Sequence, residues 1–130
     1  MSRDGGASGG SPAGFDFARL ASISDGDAEF EREICGEYLA QARELLTQIA
    51  AATAAGDTVA LRRAAHTLKG SSRTIGAEAV ATVTAEIERD PGGEKYPAGS
   101  ACLDKLRAGL AAVERTLDGY FGTDAYRKAA

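Results

Sequence analysis

The chain has 130 residues, of which 44% are hydrophobic, and a formal net charge of −4. This length suits one domain with a substantial core. A globally acidic chain has no general attraction for nucleic acid or anionic membranes, and no apolar run here is long enough to span a bilayer. The N-terminus also lacks the apolar segment of a secretory signal, so we expect a cytoplasmic protein.

The two ends of the chain differ in composition from its middle. Residues 1–13 are rich in glycine and serine and lack the apolar content needed for packing, so we expect a flexible leader. Residues 122–130 are expected to form a flexible C-terminal tail. The folded domain is therefore predicted to span residues 14–121.

Five helices are predicted within this domain. Phe15, Phe17 and Leu20 indicate one short helix, and apolar residues at three- and four-residue spacing indicate four longer ones. Amphipathic helices with mostly short connections are typical of an all-α, antiparallel four-helix bundle, here with a short extra N-terminal helix. The predicted bounds of the long helices are Asp27–Ala55, Thr58–Thr74, Ala77–Arg89 and Ser100–Phe121, with a loop at 90–99.

Two features of the predicted core can be compared directly with a structure. The first long helix carries an apolar stripe that should face its neighbours: Phe30, Ile34, Tyr38, Ala42, Leu45, Ile49 and Ala52. Cys35 and Cys102 are far apart and belong to no C-x-x-C pair, so we expect reduced, half-buried thiols without a metal or disulfide role.

The second long helix carries the chain's only histidine, His66. At about 100° per residue, His66 lies roughly 140° from Leu61, whose side of the helix is predicted to face the core. The solvent side therefore carries His66, and basic residues surround it. No Asp or Glu occurs between Asp57 and Glu78, so an acidic chain has a basic patch around one imidazole. The basic members are Arg62, Arg63, Lys69 and Arg73.

These residue types suit phosphoryl chemistry. A neutral imidazole is a competent nucleophile near neutral pH, and Lys69, three residues after His66, could hold an anionic phosphoryl group by a charge-assisted hydrogen bond. Gly70 lies mid-helix, where glycine costs about 1 kcal/mol relative to alanine, and its missing side chain would let another protein's backbone approach. The alternative is that His66 is an ordinary residue of a solvated helix face. A metal site is not expected, because no second histidine exists and no carboxylate or thiol lies one turn away.

The residues from Ala65 to Ala77 resemble the signature of the histidine phosphotransfer (HPt) family. Written as A-H-x-L-K-G-x-S-x-x-x-G-A, that signature agrees with this chain at every specified position. The weaker matches around it extend over roughly residues 15–120.

The resemblance implies a role for each residue of the segment. His66 would take a phosphoryl group from a receiver-domain aspartate, or from a kinase, and pass it to the aspartate of a response regulator. Lys69 would contact the phosphoryl group, and Gly70 would clear the docking surface. Relatives often place Gln or Glu on the next helix against the imidazole; counting through the motif assigns this position to Glu88. Glu88 would hold the tautomer that leaves Nε2 as the nucleophile, unless it is merely a surface acid.

The expected partners are a receiver domain and a hybrid or simple histidine kinase, with no nucleic acid or membrane contact. Arg62, Arg63 and Arg73 would attract the acidic pocket of the receiver. No cofactor is expected on this chain, since the metal ion would belong to the receiver, and no phosphate-binding loop suggests use of ATP. We therefore expect a monomeric phosphocarrier and not an enzyme. An alternative function, of a different class, is that of a helical adaptor that binds a receiver or kinase without phosphotransfer.

Overall fold

The computed structural model describes residues 14–90 and 100–122, and regular secondary structure in these ranges is entirely helical. The predicted leader at 1–13 lies outside the described residues, as do residues 91–99 of the predicted loop and residues 123–130 of the predicted tail. The helices are α1 (Phe17–Ser24), α2 (Ala28–Ala55), α3 (Thr58–Ile75), α4 (Glu78–Arg89) and α5 (Ser100–Phe121).

The helix ends follow local capping chemistry. Asp27 and Asp57 precede α2 and α3, and each accepts hydrogen bonds from backbone N–H groups of the first turn. Gly56 and Gly76 end these two helices with φ values of 69° and 102°, which favour glycine. The predicted bounds are thus confirmed to within one or two residues.

Each long helix packs against two others. The helix α3 lies between α2 and α4, and α5 completes the bundle by contacting the same two neighbours. The all-α bundle with an extra N-terminal helix is confirmed, while the antiparallel order stays a prediction. No described helix is both long enough and apolar enough to cross a membrane.

The buried side of α3 includes Leu61, as predicted, but the core face of α2 begins later than expected. Phe30 is 41% exposed and Ile34 only partly buried, whereas the members from Tyr38 onward are buried. The interpretation of Phe30 as a core residue is therefore wrong, because the side of the first turn of α2 that carries Phe30 is left uncovered, whereas Glu31 in the same turn is buried. Cys35 and Cys102 are free thiols, as expected, but both are buried and not half-buried. Burial raises the pKa of Cys35 to about 12.

A buried hydrogen bond connects α2 with α3. The Tyr38 hydroxyl lies 2.7 Å from the Ser72 hydroxyl, and Ser72 is completely buried. Burial also raises the pKa of Tyr38 to about 12, so the phenol stays protonated at neutral pH.

The segment before α1 closes over the turn between α3 and α4. Phe15 is fully buried and pairs with Ala77 in an isolated bridge, and the Asp16 N–H donates to the Gly76 carbonyl at 2.7 Å. A Cβ atom at Gly76 would lie 2.6 Å from the Asp16 carbonyl oxygen. The residue at 76 therefore needs both a positive φ and the absence of a side chain.

We expect Gly76→Ala to lower the free energy of unfolding by about 1–3 kcal/mol, through strain at a positive φ together with this clash. Gly56→Ala is the matched control, since Gly56 also has a positive φ but has open space around it. Urea denaturation of the two variants would measure the difference. Equal losses would show that the contact with Asp16 contributes nothing.

Candidate functional site

The candidate site lies on the face of α3 opposite its core residues. The side chains of Leu61, Ala65, Leu68, Ser72 and Ile75 are buried, as the helical wheel predicts. The His66 side chain is 67% exposed. Burial of this apolar face therefore leaves the imidazole directed away from the core.

Glu88, in the last turn of α4, contacts the imidazole. Its Oε2 lies 2.7 Å from His66 Nδ1, which is hydrogen-bonding distance. If Nδ1 carries the proton and donates it to this carboxylate, the lone pair is on Nε2. Nε2 has no hydrogen-bond partner among the described residues, so the exposed nitrogen of the ring is the one available for attack.

The same carboxylate also binds Lys69. The Lys69 ammonium lies 2.5 Å from Glu88 Oε1, and only 20% of the Lys69 side chain is exposed. Sequence reasoning assigned Lys69 to a phosphoryl group and missed this ion pair, because the pair depends on how α4 packs beside α3. The acid-free patch of the sequence therefore acquires one carboxylate in the folded protein.

Lys69 and His66 keep Glu88 ionised. The hydrogen bond from Lys69 is the largest influence that holds the pKa of Glu88 below its ordinary value of 4.5, and the hydrogen bond from His66 adds to it. Glu88 is thus a carboxylate throughout the physiological pH range and can act only as an acceptor.

The three arginines lie around the site without contacting the imidazole. Arg62, Arg63 and Arg73 are all exposed, and none of them forms an ion pair with another described residue. Arg73 borders a surface cleft with Arg19, while Arg63 borders another near the start of α3. These side chains remain available to an acidic partner.

Gly70 has open space around the position of its missing side chain. A Cβ atom there would meet no other group of the chain within 4 Å. Packing within this protein therefore gives no reason for glycine at this exposed helical position. A close approach by another molecule is a reason that remains.

An apolar groove of about 660 Å³ runs beside the C-terminal half of α3, between α1 and α2. Its walls include Ile23, Phe30 and Ile34, and α3 contributes Ser71, Thr74 and Ile75, about one and a half to two and a half turns beyond His66. Sequence reasoning did not identify this groove. The signal was available in Phe30 and Ile34, which continue an apolar stripe past the end of the core.

The described residues contain no group of three or more His, Cys, Asp or Glu side chains that could hold a metal ion. What the site presents is one exposed imidazole, oriented by a carboxylate and flanked by an ammonium. The fold and site define a small helical protein that presents one exposed histidine on a helix face.

Comparison with known proteins agrees with this class. Residues 33–116 match the family model of the Hpt domain. The structure is similar to the crystal structure of histidine-containing phosphotransfer protein B (HptB) from Pseudomonas aeruginosa PAO1, with a TM-score of 0.74 and 28% sequence identity over 82% of this chain and 93% of that chain. No curated protein sequence matches significantly. The chain belongs to the Hpt domain family, and it is a phosphotransfer intermediate of a phosphorelay.

We expect Lys69→Met to raise the pKa of the Glu88 carboxyl toward 4.5, because the ammonium that favours its ionised form is removed. Because the pKa in the folded protein lies below that of the unfolded chain, the stabilising contribution of Glu88 is present above pH 4.5. It is lost as the pH falls through the lower folded value. Carbon-13 NMR titration of the carboxyl group would measure the shift. His66→Gln is the control and should raise the pKa by less; an unchanged pKa in Lys69→Met would contradict the ion pair.

Proposed function

We propose that His66 is the phosphorylated residue and that this chain carries a phosphoryl group between receiver-domain aspartates. The observation that carries this proposal is that the two nitrogen atoms of the imidazole ring have different surroundings. Glu88 contacts Nδ1, whereas Nε2 has no hydrogen-bond partner among the described residues and belongs to a side chain that is 67% exposed. A nucleophile of this kind can reach a reactive group only on another molecule.

The transfer reaction needs no proton movement on the imidazole. The Nε2 lone pair attacks the phosphorus of an aspartyl phosphate, the Nε2–P bond forms, and the P–O bond breaks with its electron pair going to the aspartate. The Nδ1 proton stays directed at Glu88, whose negative charge stabilises the positive charge that develops on the ring. The reverse sequence of bond changes returns the group to an aspartate. The metal ion that assists this chemistry would belong to the receiver.

Receiver docking would use the surface on both sides of His66. The exposed arginines suit the acidic pocket of a receiver, and the groove beside α3 offers a largely apolar contact area. Gly70, one turn from His66, gives the partner's backbone room to approach. Such a surface supports weak, reversible binding, which a carrier requires for turnover.

A receiver domain, directly or as part of a hybrid histidine kinase, is thus the proposed donor, and a response regulator is the proposed acceptor. We propose that the chain acts as a monomer in the cytoplasm, without kinase activity of its own. Incubation with ATP alone should then leave it unlabelled. The alternative, an adaptor that binds without transfer, predicts receiver binding with no phosphate on the bound protein.

Incubation with a phosphorylated receiver domain should place acid-labile, base-stable phosphate on the wild-type protein and none on His66→Gln. Because His66 is exposed, this substitution should leave the helical circular dichroism spectrum unchanged. The free energy of unfolding should change by no more than about 0.5 kcal/mol. Phosphoprotein gels after acid and base treatment would provide the measurement. Equal labelling of His66→Gln would exclude His66 as the carrier.

Gly70→Ala should stabilise the protein yet slow the transfer. Alanine favours the helix by up to about 1 kcal/mol, while the added methyl group holds the partner away from the imidazole and should slow transfer on the order of tenfold or more. Gly119→Ala is the matched control, since Gly119 is an exposed helical glycine of α5 that also has open space around it. Thermal unfolding and single-turnover transfer from a phosphorylated receiver would be compared. Transfer at the wild-type rate in Gly70→Ala would contradict the docking role.

A further inference from the structure

The carboxylate of Glu88 contacts two side chains on adjacent turns of α3. Oε2 of Glu88 lies 2.7 Å from His66 Nδ1, and Oε1 lies 2.5 Å from Lys69 Nζ. His66 is largely exposed, but the Lys69 side chain is only 20% exposed and is directed toward α4. In the unmodified protein, the ammonium of Lys69 is therefore already paired with Glu88.

Phosphorylation of Nε2 would introduce a second anion near Lys69. The two ring nitrogens point in divergent directions, so the phosphoryl group and Glu88 lie on different sides of the imidazole. The single positive charge of Lys69, which is paired with Glu88 in the unmodified protein, would then be shared between two anions. Any hold that Lys69 takes on the phosphoryl group therefore comes at the expense of its ion pair with Glu88.

We propose that Glu88 and the phosphoryl group on His66 compete for the ammonium of Lys69, so that Glu88 limits how tightly the loaded protein holds its phosphoryl group. This inference rests on phosphorylation at His66, as proposed above. When the Nε2–P bond forms and the aspartate leaves with its electron pair, Lys69 moves from Glu88 toward the phosphoryl oxygens. When the group is passed on, the Nε2–P bond breaks, its electron pair returns to Nε2, and the ion pair with Glu88 forms again.

Competition predicts that the contribution of Lys69 to phosphoryl binding depends on Glu88, and it predicts the sign of that dependence. The other effects of Glu88 produce no such dependence. The carboxylate also repels the phosphoryl group and attracts the charged ring, but neither effect requires Lys69. If Glu88 competes for Lys69, the lysine should contribute more to phosphoryl binding once the carboxylate is replaced by a neutral amide. If Glu88 instead positions Lys69 for the phosphoryl group, the lysine should contribute less after that replacement.

The experiment is a double-mutant cycle on the equilibrium between phosphorylated receiver and phosphorylated carrier. The four proteins are wild type, Glu88→Gln, Lys69→Met and the double variant, each checked for fold by circular dichroism. The glutamine side chain keeps an oxygen that accepts the Nδ1–H, and the methionine side chain keeps most of the lysine's apolar stem. Lys69→Met should lower the ratio of loaded to unloaded carrier in both backgrounds. We expect the loss to be about threefold or more greater when Glu88→Gln is also present than when Glu88 is retained.

Two results would overturn the competition. Equal losses in both backgrounds would show that Glu88 and Lys69 act independently, and a smaller loss in the presence of Glu88→Gln would show that Glu88 positions Lys69. Failure of the proposed function is separable from either result, because it appears as wild-type protein that carries no acid-labile phosphate on His66. That outcome would also remove the basis for the competition.

A measurement without a receiver examines the same exchange. The protein is first loaded with phosphoramidate, whose P–N bond breaks as the Nε2–P bond forms and ammonia leaves. The pKa of the Glu88 carboxyl is then compared between the loaded and the unloaded protein. The pKa should rise more in wild type than in Lys69→Met, because only wild type also loses the ammonium. Equal rises would overturn the proposal.

Discussion

The carboxylate of Glu88 bridges His66 and Lys69 of another helix, and its position depends on how α4 packs against α3. Ile87 is buried in the core, and the next residue on a helix lies about 100° further around the axis. Burying Ile87 therefore turns Glu88 toward the edge of α4 that faces α3. The N-terminal segment also supports the packing of α4 against α3, at the other end of α4. There the backbone N–H of Asp16 donates a hydrogen bond to the Gly76 carbonyl in the turn between the two helices.

The surface around His66 combines opposite tendencies in a protein whose overall charge is negative. Exposed arginines favour the approach of an acidic partner, while Glu88 keeps a negative charge directly beside the ring. The carboxylate lies on the Nδ1 side, so it leaves the approach to Nε2 open. Long-range attraction and local ring orientation are therefore supplied by different residues and do not oppose each other.

Much of the fold could be predicted from local signals in the sequence. The ends of α2 and α3 depend on Asp27, Gly56 and Asp57, whose effects act within a few residues of each helix end. The exposure of His66 followed from the helical wheel of α3 alone. Glu88 was assigned by counting through a motif, and in the structure it contacts the imidazole.

The predictions that failed, and the contacts that were missed, depend on the placement of helices relative to one another. Periodicity gives Phe30 the same apolar phase as Tyr38, but it cannot show that the neighbouring helices leave the side of α2 that carries Phe30 uncovered. The ion pair between Lys69 and Glu88 depends on the distance and rotation of α4 beside α3, which no single-helix pattern contains. For the same reason Cys35 and Cys102 were expected to be half-buried, although both lie in the core.

The buried pair of Tyr38 and Ser72 has a mechanical consequence for the imidazole. Contacts among leucine and alanine side chains are nearly indifferent to small rotations of a helix about its axis, because dispersion has little directionality. A hydrogen bond between two buried hydroxyl groups does have direction, and breaking it inside the core leaves polar atoms without water. Ser72 lies six residues after His66 on the same helix. The hydrogen bond with Tyr38 therefore restricts rotation of α3 about its axis, and with it the direction of His66. The direction in which the histidine faces is thus set partly from inside the bundle, by a contact on the opposite, buried side of α3.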